Sequence, residues 1–130
     1  MKKTDRLSEA ELEIMHVLWR ESTPLKASEI VKILSDKYSW KVPTAHVMLS
    51  RLVEKGYIGV DKSAYSHKFF AIVSEAEHLA CESALLVKKA GGKLPLMFAS
   101  LIESDDVTDE ELFELSAMLD KRISEIKKGK

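Results

Sequence analysis

Between Pro43 and Gly56 the sequence reads PTAHVMLSRLVEKG, and its side chains sort by chemistry. Thr44, His46 and Ser50 bring hydrogen-bonding hydroxyls and an imidazole, Val47 brings methyl groups, and Arg51 and Lys55 bring positive charge. Hydroxyl and imidazole groups suit the edges of base pairs, a valine methyl suits the thymine methyl, and cations suit phosphates. Ala45, Met48, Leu49 and Leu52 fall at i, i+3, i+4 and i+7, so a helix here buries one stripe. The opposite face keeps Thr44, His46, Val47, Ser50 and Arg51. Pro43 fits the first turn of such a helix and Gly56 the left-handed residue that ends it. The expectation is a helix over residues 43–55 lying in the major groove of double-stranded DNA. Thr44, His46, Val47 and Ser50 would meet base edges there, and Arg51 and Lys55 would hold phosphates. Arg51 has a competing use, an ion pair with a Glu of the first or second helix.

Other chemistries find little support. There is no Gly-rich phosphate loop, no GxSxG and no HExxH, and most acidic residues stand at helix starts, where capping accounts for them. No catalytic residue and no cofactor are expected. His78 and Cys81 stand at i and i+3, but a metal site needs three or four ligands. His16, His46 and His67 fall in the other half of the chain. An ordinary half-buried Cys81 beside a surface His78 is expected, with no metal.

The elements that must position these residues are marked by three capping boxes, Ser8–Glu11, Ser74–Glu77 and Thr108–Glu111. After the first, Leu12, Ile14, Met15, Leu18 and Trp19 give an apolar stripe ending near Arg20. A second helix is expected over 26–37, with Lys26 a weak cap, and the helix of 43–55 follows. Residues 57–60 and 67–73 are β-prone and enclose a small polar segment, which reads as an antiparallel hairpin. One element of the usual version is missing from this reading, a short strand near 24–26, which could add a third strand. Helix, helix, helix and hairpin within about 70 residues is the order of a winged helix-turn-helix. In the hairpin, Lys62, Ser63, His67 and Lys68 are candidates for contact with the DNA backbone, and Tyr65 stands near its tip. Lys62 and Lys68 could equally serve as solubilising charge.

The remainder reads as helical: 75–89, ended by Gly91-Gly92, then 93–102, then 109–127 with Leu112, Leu115, Leu119, Ile123 and Ile126 on one side. Such helices cannot bury these faces alone, and a symmetric dimer through residues 74–130 is expected, packing onto the first domain being the alternative. The division is thus a winged helix-turn-helix domain over 1–73 and a helical dimerisation domain over 74–130, a mainly α chain with a small β-hairpin wing. Residues 1–73 carry twelve Lys/Arg against nine Asp/Glu, net +3, while 74–130 carry eight against twelve, net −4. The first half could meet a polyanion; the second is a poor partner for one. With no run of 18 apolar residues, no h-region after the basic MKKTDR and a single cysteine, a cytoplasmic protein without a membrane partner is expected.

LSEAELEIMHVLW, SEIVKIL and PTAHVMLSRLVEKGYI together resemble the penicillinase-repressor family of BlaI, MecI and CopY type, and the resemblance runs over nearly the whole chain. It implies a homodimeric winged-helix repressor of an inverted-repeat operator. In antibiotic-responsive members it also implies an inactivating protease that cuts the tail at an Asn-Phe-Ala-like site. The matching segment is Leu96-Met97-Phe98-Ala99, so Met97 and Phe98 form the candidate proteolytic bond, with Met in place of Asn. The Cys-x-Cys motifs of copper-responsive members are absent from the terminal ISEIKKGK. Val47 stands where many members have Thr, which implies a different operator. Two alternatives come from other classes: a winged-helix module for protein–protein assembly without specific DNA binding, and a redox or metal sensor using Cys81 and His78.

Overall fold

The computed structural model describes residues 6–63 and 65–129. The basic residues 1–5 of the amino terminus lie outside the described residues. The element order is α1 (Glu9–Glu21), β1 (Leu25–Lys26), α2 (Ala27–Ile33), α3 (Val42–Glu54), β2 (Ile58–Asp61), β3 (Lys68–Ala71), α4 (Glu75–Ala90), α5 (Leu94–Glu103) and α6 (Asp109–Lys128). Among the described residues no helix is long and apolar enough to cross a membrane.

All three capping boxes form. Ser8, Ser74 and Thr108 each accept from the amide three residues on, and Glu11, Glu77 and Glu111 each accept from the cap's own amide. At the start of α2 only half of this device exists. Glu29 accepts from the Lys26 amide at 2.8 Å, but a lysine ammonium has no lone pair to return the favour. α2 is also shorter than the expected 26–37. Ser35 and Lys37 donate to carbonyls only three residues back, which tightens the chain into turns after Leu34.

The sheet runs β1-β3-β2, antiparallel throughout, with Leu25 opposite Phe69 and Val60 opposite Phe69 from the other side. The short strand missing from the sequence reading near residues 24–26 is present as β1, and it makes the sheet three-stranded. Ile14, Met15, Val17, Leu18, Ile30, Leu49, Leu52, Ile58 and Phe69 form a single core beneath the three helices and the sheet. Long-range bonds fasten its edge: the Trp19 indole N–H donates to the Val73 carbonyl at 2.9 Å, and Lys37, in the turn after α2, pairs with Glu13 of α1.

Gly56 ends α3 with φ +80°, and the Tyr57 amide behind it closes on the Leu52 carbonyl at 3.0 Å. A Cβ at Gly56 would meet nothing within 4 Å, so the cost of adding one is purely conformational. Gly56→Ala is expected to destabilise the protein by about 1–2 kcal/mol, read as a lowered thermal midpoint. An unchanged midpoint would mean that the backbone can abandon this conformation freely.

Two compact units divide the chain, Met1–Ser83 and Ala84–Lys130. The first extends past residue 73 because the first turns of α4 belong to it. His78 lies buried there, its ring 5.3 Å from that of Trp19 and 6.1 Å from that of Tyr57. The second unit holds the end of α4 with α5 and α6, and none of its described residues is buried.

Candidate nucleic-acid interface

α3 buries Ala45, Met48, Leu49 and Leu52 against the core, the stripe read from the sequence. That packing turns the opposite face outward. Thr44, His46, Val47, Ser50 and Arg51 are all exposed, and Val47, an aliphatic side chain, is 53% exposed. Arg51 makes no ion pair among the described residues and is free to meet a ligand.

Lys55 has a different position. Its ammonium donates to Glu11 Oε1 at 2.7 Å and to the Arg6 carbonyl at 3.0 Å, with the side chain only 23% exposed. The ion pair to a first-helix Glu that the sequence offered to Arg51 is therefore made by Lys55. Glu11 is 2% exposed. Burial pushes its carboxyl upward, but the Lys55 ammonium and the Ser8 amide outweigh that and hold it below the usual range. Lys55 thus secures the end of α3 to α1, and its charge is already engaged.

The wing candidates split in the same way. Lys62 and His67 are exposed, and Lys68 is half-buried. Ser63 is occupied by the turn itself, since its amide and hydroxyl both donate to Asp61 Oδ1, at 2.9 and 2.6 Å. Those two bonds hold the Asp61 carboxyl below its ordinary range. Tyr65 stands fully exposed at the tip.

Between α3 and the wing lies an open groove of ≈ 320 Å³, whose walls include Lys26, Ser28, Val42, His46, Tyr65 and His67. The His46 ring meets the edge of Phe69, centroids 6.0 Å apart, and so leans toward the wing. The groove brings His46 and His67 together and adds Lys26 and Ser28, which the reading of α3 and the wing as separate segments had missed. No sequence signal marked them, because β1 is too short to have a pattern and only its pairing puts Lys26 opposite Lys68 on the wing strand.

His78 and Cys81 do not converge. The expected burial is reversed: His78 is buried and Cys81 is exposed. Among the described residues no group of three ligand-type side chains could hold a metal. The His78 Nδ1 is buried without a hydrogen-bond partner.

A three-helix core with an antiparallel wing and an exposed polar helix face defines a winged-helix transcriptional regulator that binds DNA. Residues 7–121 match the penicillinase repressor family model, and the chain belongs to that family. It is 31% identical over 122 residues to the penicillinase repressor of Bacillus licheniformis, covering 93% of this chain and 94% of the relative. It is 25% identical over 121 residues to the methicillin resistance regulatory protein MecI of Mammaliicoccus sciuri, covering 92% and 98%. Its fold is similar to the solution structure of the DNA binding domain of the repressor BlaI, with TM-score 0.51, 34% identity and coverage of 59% of this chain and 93% of that one.

Proposed function

We propose that the chain is a homodimeric transcriptional repressor that binds an inverted-repeat operator, with α3 of each copy in the major groove. The observation that carries this reading is the outward face of α3, polar and without side-chain hydrogen bonds or ion pairs among the described residues, beside an exposed wing. Thr44, Val47 and Ser50 meet base edges, Arg51 holds a phosphate, and Lys62 and Lys68 follow the backbone along the wing. Each monomer reads one half-site, and half-site centres lie about one helical turn, roughly 34–36 Å, or a multiple apart.

The tail supports the dimer. Leu96, Phe113, Met118 and Leu119 are each 60% or more exposed in the single chain, more apolar surface than a monomeric unit of this size keeps in water. A second copy covering α5 and α6 removes it. The Met97–Phe98 bond lies inside α5. A protease takes its substrate as extended chain, so cleavage there needs α5 to unwind first. Inactivation by such a protease is thereby coupled to loss of the tail's own structure.

A gel shift on the DNA upstream of the chain's own gene, with a scrambled control at two salt concentrations, tests the reading. Selective binding should weaken with salt as counterions are released. Arg51→Ala should weaken binding to every sequence, while Ser50→Ala, at a base edge, should cost about 1–2 kcal/mol of discrimination. Equal retention of the scrambled duplex would favour an assembly module, for which the polar helix face offers no reason.

A further inference from the structure

The groove between α3 and the wing carries a consequence for how the operator is held. With α3 in the major groove and the wing beside it, the DNA strand that separates them crosses this groove. Its walls present one permanent cation, Lys26, and two imidazoles, His46 and His67, with Tyr65 at the rim. No carboxylate lines it among the described residues. Neighbouring charges are accounted for. Lys68 stands opposite Lys26 on one side and Asp61 on the other, Asp61 accepts from Ser63, and Glu29 accepts from the Lys26 amide. Phe69 against His46 offers an apolar edge and no charge. Neither imidazole has a hydrogen-bond partner among the described residues.

We propose that this groove is a seat for a backbone phosphate, occupied with His46 and His67 protonated, so that operator binding takes up protons and tightens as pH falls. The inference rests on the operator reading above and assigns His46 to the backbone instead of a base edge. A neutral imidazole has one donor and one acceptor, whereas the protonated ring has two donors and a positive charge, which suits a phosphate that only accepts. Among side chains, the imidazole is the one whose charge ordinarily changes between about pH 5 and 8. The sign follows: an anion that prefers the protonated ring draws a proton from solvent, and affinity rises as pH is lowered through that range. The size of the effect matters because residues 1–73 carry a net charge of only +3, and two protons raise it to +5.

The test is the affinity of the full chain for a duplex from upstream of its gene, between about pH 7.5 and about pH 5.5 at fixed salt. Wild type should tighten by up to about tenfold per histidine. His46→Gln and His67→Gln keep hydrogen-bonding groups but cannot take the proton, so each should flatten the profile and the double variant should abolish it. The heat of binding in buffers of different ionisation enthalpy should report proton uptake by wild type and none by the double variant. Circular dichroism at each pH separates loss of fold from loss of binding. A flat wild-type profile with intact selective binding overturns the seat and leaves the operator reading standing, as does a slope that survives in the double variant. Failure to select the upstream duplex at any pH overturns the operator reading, and the seat with it.

Discussion

Lys55→Met is expected to lower stability by about 3 kcal/mol near neutral pH and to reverse the response of the Glu11 site to acid. Removing one partner of a buried ion pair leaves the other charge uncompensated, and Glu11 is 2% exposed with its second oxygen already without a partner. The Arg6 carbonyl loses its donor too. The low end of the usual range applies because the Lys55 side chain is 23% exposed and water can reach the site. In wild type the Glu11 carboxyl lies below its ordinary value, so its contribution is present above that value and is lost as pH falls through the folded one. Without Lys55, burial dominates and pushes the carboxyl up. The folded state of the variant then gains, relative to wild type, as acid neutralises Glu11. The stability difference between the two proteins should therefore shrink from pH 7 towards about pH 4. Taking the difference cancels Glu13 and Asp61, also held low, by Lys37 and Ser63 respectively. Chemical denaturation of both proteins at several pH values measures it. A constant difference, or a loss well under 1 kcal/mol, would mean that Lys55 is not the partner on which Glu11 depends.

That site also marks where the sequence stops being legible. The limits of α3 could be read to within a residue, because Pro43 and Gly56 act on their own backbone. The capping boxes were equally plain, since a Ser or Thr and its Glu lie three residues apart on one turn. Glu11 and Lys55 lie on different helices, and the spacing within α3 cannot say whether its last cation faces a phosphate or a carboxylate. The same holds for Trp19, whose indole bonds to Val73 from another element. His78 and Cys81 illustrate it most directly. Their helical spacing was visible, but which of them is buried depends on Trp19 and Tyr57, brought there by the fold. β1 is only two residues long and has no pattern of its own; its pairing with β3 creates it. The groove residues Lys26 and Ser28 therefore came into view only with that pairing. Chemistry carried by one helix was readable; chemistry assembled between elements was not.

The largest effect on DNA binding is expected from Leu119→Asp, in the second unit, which supplies none of the groove's walls. Leu112, Leu115, Leu119, Ile123 and Ile126 recur along one side of α6, and none of them is buried in the single chain. If a second copy covers this stripe, a carboxylate at its centre must lose its water without a partner, which costs several kcal/mol. It also removes an apolar contact worth about 1.5–3 kcal/mol per copy. The variant should sediment as a monomer where wild type sediments as a dimer. Lys121→Asp, on the opposite side of the same helix, should leave the dimer intact and so controls for charge alone. The consequence for the operator follows from linkage. In a dimer the second half-site is met at the high local concentration set by the first, so affinity for a duplex with both half-sites should fall by roughly 100-fold or more in the variant. Affinity for a single half-site should not change, because α3 and the wing are untouched. A dimer that persists in Leu119→Asp would move the interface off this stripe. Loss of half-site binding as well would mean that the tail supports the fold of the reading head, and dimerisation would no longer explain the loss.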